Sequence, residues 1–126
     1  MSQYVETPTK SFTAGGAIAQ HLRVKLSAGK LAAAGINEKE IGTLEAAAFA
    51  DGDVVAVRLR TAQGTCKMIA DGVIAAGSEI YTAAAGKISG SYAAGSYPLG
   101  LALETTTADG DVVEVLRNSH GDTSFS

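Results

Sequence analysis

Tryptophan is absent from this chain, cysteine occurs once, proline twice, and three phenylalanines and four tyrosines are its only aromatic residues. Each scarcity excludes something. With one cysteine, Cys66, an intrachain disulfide is impossible, and no residue pattern around it activates a catalytic thiol. Two histidines, His21 and His120, do not make a His-based metal site within one chain. The apolar fraction is 46%, but with so few rings the core has to be thin, built from Val, Ile, Leu and Ala. Association with other chains is one way to bury more surface. A length of 126 residues leaves room for one domain with one hydrophobic core and none for a second, catalytic domain.

Runs of one charge are missing too. The 10 basic and 13 acidic residues give a net charge of −3, and the basic side chains are scattered singly. A surface that binds nucleic acid by neutralising phosphates is therefore not expected. The stretch Met1-Ser2-Gln3-Tyr4-Val5-Glu6-Thr7-Pro8 has no basic patch followed by an apolar segment, and no later segment approaches a membrane span. The expectation is a protein assembled in a cytoplasm, with neither membrane nor nucleic acid as a partner.

What is present is a repeat. Ala50-Asp51-Gly52-Asp53-Val54-Val55-Ala56-Val57 returns 58 residues later as Ala108-Asp109-Gly110-Asp111-Val112-Val113-Glu114-Val115. Ile41-Gly42 matches Leu99-Gly100, and Ala28-Gly29-Lys30-Leu31 matches Ala85-Gly86-Lys87-Ile88, in the same order and at nearly the same spacing. Three ordered landmarks argue for a duplicated unit, residues 14–59 and 71–117, within a single β domain spanning 14–117. Residues 1–13 and 118–126 are polar and without sustained periodicity, so they read as an extended N-terminal arm and a C-terminal tail.

The local patterns are those of strands. Asp-Gly before a β-branched run is a turn leading into a strand. After the first such turn Val55, Val57 and Leu59 share one face, and Val54, Ala56, Arg58 and Arg60 the other; after the second, Val113 and Val115 face inward with Glu114 outward. Leu22, Val24 and Leu26 alternate with His21, Arg23 and Lys25, which predicts a sheet with those three polar residues on its wet face. Further short strands are expected at Glu79–Thr82 and Pro98–Glu104, with Pro98 at a strand start or edge, and Thr65–Ile69 reads as a strand connecting the halves. Asn37 to Ala48 favours helix by propensity, but the repeat argues for strand over Thr43–Phe49, with at most a helical turn near Glu38.

No catalytic or cofactor constellation emerges. Asp51 with Asp53, and Asp109 with Asp111, lack the further oxygen ligands of a calcium loop and are read as turn residues. Ala14-Gly15-Gly16-Ala17 and Gly86-Lys87-Ile88 lack the full phosphate-loop pattern, and Ser119-His120 are two neighbours in a tail. Cys66-Lys67-Met68 between the halves invites comparison with biotinyl or lipoyl carrier domains, which present a modified Lys at a hairpin tip; the Met and acidic residue that precede that Lys are missing here. The spaced apolar residues Tyr4, Val5 and Phe12, in an otherwise polar stretch interrupted by Pro8, suit an arm that orders on a partner surface.

Taken with Asp71 to Tyr81, Ala85 to Ile88, Pro98 to Glu104 and Ala108 to Leu116, the chain resembles the family of tailed-phage capsid cement or decoration proteins, although Ala32 to Glu40 departs from that pattern. The resemblance implies a non-enzymatic homotrimer on the outer surface of the virion, bound to the major capsid protein at three-fold positions and stabilising the shell, with no metal or cofactor. Another phage structural component, such as a head-fibre base or a tail part, is the alternative. The expected fold is all-β, a small β-barrel or sandwich with an internal duplication.

Overall fold

The computed structural model describes residues 9–38, 40–60 and 65–117. Ten strands account for its regular structure: β1 (Thr9–Thr13), β2 (Arg23–Ser27), β3 (Lys30–Ala33), β4 (Gly42–Leu44), β5 (Val54–Leu59), β6 (Thr65–Ile69), β7 (Glu79–Thr82), β8 (Ile88–Ser89), β9 (Pro98–Ala102) and β10 (Val112–Arg117), with one 3-10 turn at Ala84–Gly86. They form two five-stranded antiparallel sheets in the orders β1-β5-β4-β2-β3 and β6-β10-β9-β7-β8. The second order is the first shifted by five strands, so the internal duplication is a duplication of topology. The fold is all-β, as the alternating patterns require.

Matching details recur in both halves. Each sheet curls until its two ends meet through one parallel bridge, Ala14 to Leu31 in the first half and Ala70 to Ile88 in the second. The Asp-Gly turns are held alike: Asp53 Oδ2 accepts the N–H groups of Phe49 (2.8 Å) and Ala50 (3.1 Å), and Asp111 Oδ2 accepts those of Thr107 (2.9 Å) and Ala108 (3.1 Å). Lys30 pairs with Asp51 at 2.9 Å and Lys87 with Asp109 at 2.8 Å, tying each hairpin to the facing turn. These carboxylates are occupied as turn clamps, in keeping with the turn reading.

The structure moves several boundaries. Thr9–Thr13 is not part of an arm: it pairs with β5 from Thr9 opposite Arg58 to Thr13 opposite Val54, and Phe12 packs on the first-half core. β6 is not a connector either, because it stands to β10 as β1 stands to β5. The repeated units therefore begin near Thr9 and Thr65, earlier than the sequence landmarks at 14 and 71. Tyr4, Val5 and the 118–126 tail lie outside the described residues. The strand expected over Thr43–Phe49 is confined to β4, followed by a bridge between Ala48 and Ile18, and residues 36–38 form a turn and a bend without helix.

The single core expected from chain length is divided in two. Phe12, Val24, Leu31, Leu44 and Val57 belong to a first-half cluster, and Met68, Ile74, Ile80, Val113 and Val115 to a second-half cluster. Curling each sheet encloses its own apolar face, so between the halves there is little apolar surface left to join.

Candidate functional site

Polar groups make that joint. Arg23, expected on a wet face, is fully buried, because the second half closes over the outer face of the first sheet. Its Nη2 donates to the carbonyl of Ala83 at 2.6 Å and to those of Ala34 and Gly35 at 3.3 Å, its Nε donates to Lys87 O at 3.0 Å, and its Nη1 meets Glu40 Oε1 at 3.3 Å. The other oxygen of Glu40 receives Arg117 Nη2 at 2.6 Å, so one buried carboxylate is shared by a cation from each half. Burial lowers the pKa of the Arg23 guanidinium from its ordinary value, and Glu40 opposes that shift.

Two more bonds complete the joint: Thr82 Oγ1 donates to Ile36 O at 2.6 Å and Gly86 N–H to Ala34 O at 2.7 Å. Gly86 has φ +79°, and a β-carbon there would stand 3.0 Å from Arg23 O, so both conformation and space favour glycine. Among the described residues every buried side-chain nitrogen and oxygen has a hydrogen-bond partner. The sequence signal for this network was weak. Arg23 lies in a clean polar/apolar alternation, and only its failure to be exposed reveals its part.

Beside the joint an open cleft of about 390 Å³ runs between the halves, lined by His21, Thr43, Glu45 and Arg58 from the first and Thr65, Cys66, Lys67 and Glu114 from the second. His21 sits at φ 71°, and burial, with the nearby Lys67 charge, lowers its pKa and favours the neutral ring. The Cys66 thiol is pushed up by burial, with Arg117 opposing, which is the reverse of an activated nucleophile. Lys67 is exposed in the middle of β6 opposite Glu114, not at a hairpin tip, so the carrier-domain geometry is not met. A second open cleft, about 410 Å³, lies where the first sheet closes, between Gly15–Ile18 and β3.

Of the partner-binding candidates, only Phe12 is described. It is half-buried against its own core, with Lys10 Nζ 5.9 Å from the ring centroid, so it is engaged at home. Larger apolar exposure lies elsewhere: Leu101, Leu103, Val112 and Leu116 on the second sheet, Leu26 at the end of β2, and Phe49 and Val73 in loops.

Two like five-stranded antiparallel sheets, the second with several apolar side chains exposed, define an all-β fold built on an internal duplication. The sequence matches no described protein family, and no curated protein matches it. Among solved structures the chain is similar to the N base of the head fibre protein gp8.5 of bacteriophage phi29, with a TM-score of 0.72 and 17% identity over 87% of this chain and 92% of that one. The two proteins share a fold.

Proposed function

We propose that this protein is a non-enzymatic structural component of a tailed-phage head, a base subunit that mounts as a homotrimer on the outer surface of the shell by binding the major capsid protein. The observation that carries this reading is the breadth of the shared architecture with the phi29 head fibre base, which spans nearly all of both chains. That breadth favours the fibre-base role over the cement role that the sequence resemblance put first. The chemistry is compatible: the turn carboxylates are engaged by backbone N–H groups and lysines, and the buried thiol is unactivated. Three equal copies would engage the shell at once, so modest contacts per subunit add up to firm attachment.

Co-sedimentation of the purified protein with expanded tailed-phage heads lacking it, followed by cryo-electron microscopy, tests the reading. Density on the outer surface is expected; heads that stay bare at saturating protein would reject it. Heat stability separates the two roles. A fibre base leaves the melting temperature of the shell nearly unchanged, whereas a cement raises it.

A further inference from the structure

The first half carries a side chain at a place where its repeat carries none. The turn from Ala19 to Leu22 before β2 returns as the turn from Ala75 to Ser78 before β7. Leu22 N–H bonds Ala19 O as Ser78 N–H bonds Ala75 O, and His21 N–H bonds Leu44 O as Gly77 N–H bonds Ala102 O. Leu44 N–H bonds Leu22 O as Ala102 N–H bonds Ser78 O, and the bridge from Ile18 to Ala48 matches the one from Ile74 to Thr106. His21 and Gly77 therefore hold one position, the third of a turn whose backbone is left-handed there, at φ 71° and 87°. Glycine adopts that conformation freely, and a histidine adopts it at a cost. The second half makes the same turn with no side chain at this position, so the imidazole is not there for the sake of the turn.

Gly77 is exposed, whereas His21 is half-buried and lines the cleft between the halves. Glu45 and Arg58 face that cleft from its own half, and Cys66 and Lys67 of β6 with Glu114 of β10 face it from the other, Arg117 being bonded to the Cys66 side chain. Two things disfavour a charged ring here, burial first and the Lys67 ammonium second, while Glu45 works the other way. Lys67 belongs wholly to the second half, so docking of the halves is what brings it to the ring. Docking thus raises the cost of a proton on His21, and by linkage a proton on His21 raises the cost of docking. We propose that the cleft is a proton-sensitive seam: neutral His21 lets the halves close on each other, and protonated His21 loosens their joint while each half keeps its own core. The apolar clusters are separate, so the joint can give without opening either of them. Because the folded ring resists the proton, the joint is complete above the ordinary imidazole pKa and weakens as pH falls through that value and below it. This device is independent of the shell-mounting reading.

Hydrogen exchange followed by NMR tests the seam, on the full chain carrying His120→Gln so that His21 is its one imidazole. The Gly86 N–H, which bonds Ala34 O across the joint, reports opening, and amides inside β5 and β10 report the two cores. From about pH 8 to about pH 5, with intrinsic exchange rates corrected for, protection at Gly86 is expected to fall severalfold while the core amides hold theirs. His21→Gly carries the residue found in the equivalent turn, so circular dichroism should show the fold intact, and the acid loss at Gly86 should disappear. Lys67→Gln, at an exposed site, should move the His21 titration, read from ring chemical shifts, toward its ordinary value and shrink the response at Gly86. The proposal would be overturned by a His21 that titrates at or above its ordinary value, or by Gly86 protection that does not change with pH. Core amides that open in step with Gly86, an acid loss that persists in His21→Gly, or a response untouched by Lys67→Gln would overturn it equally.

Discussion

At the residue scale, backbone conformation carries the clearest consequences. Ala28, at φ 52° in the two-residue β2–β3 turn, sits in the left-handed region without being glycine, which costs an ordinary side chain about 1 kcal/mol. Ala28→Gly is therefore expected to stabilise the protein by roughly 0.5 kcal/mol or more in urea denaturation, once glycine's greater freedom in the unfolded chain is set against the relieved strain. Gly52 and Gly110 stand at φ +98° and +96°, and beyond their chain neighbours no atom lies within 4 Å of where a β-carbon would stand. Gly52→Val or Gly110→Val therefore meets a purely conformational penalty, about 1 to 3 kcal/mol each by the same measurement. Asp111 is held below the ordinary carboxylate pKa by the N–H groups of Thr107 and Ala108. Its contribution is complete above the unfolded-state pKa and is lost as pH falls through the depressed folded value. Asp111→Asn should accordingly flatten the acid limb of the stability curve as pH falls through and below the ordinary carboxylate range, measured by thermal unfolding at stepped pH.

At the element scale, β1 changes the meaning of the N-terminal region. As an arm, residues 1–13 would be dispensable for folding; as an edge strand, Thr9–Thr13 covers β5 and carries Phe12 onto the first core. Truncation through Thr13 is thus expected to abolish cooperative unfolding of the first half, and Phe12→Ala to cost about 2 kcal/mol, discounted from a full ring deletion because the ring is only half-buried. Thermal melts of the two variants check both. Phe12 could be seen in the sequence as an apolar point, but its destination could not: its partner strand lies more than forty residues away, and pairing over that distance leaves no local periodicity to read. The Asp-Gly turns and the alternation in β5 and β10 were legible because turn chemistry and side-chain direction are set within a few residues.

At the scale of the whole molecule, two apolar clusters are joined by a buried ionic network rather than by a common core. Arg23→Ala would strand Glu40 with one cation, take the Arg23 donor from the carbonyl of Ala83 and leave that of Lys87 with the Ala83 N–H alone, a loss of about 3 to 5 kcal/mol. The wild type should melt in a single calorimetric transition with equal van't Hoff and calorimetric enthalpies, and Arg23→Ala should split it into two, one per half. A variant that still melts as one unit would mean that backbone contacts such as Gly86 to Ala34 suffice to couple the halves.

The sequence by itself determined the all-β class, the duplication and the turns, because each depends on periodicity and backbone freedom that neighbouring residues set. Only the tertiary structure decided where the units begin, that there are two cores, and that Arg23 is buried while three leucines are not. The physical reason is that a strand's polar face reads the same in sequence whether it meets water or another polar surface, and which of these covers it is settled by how the halves dock.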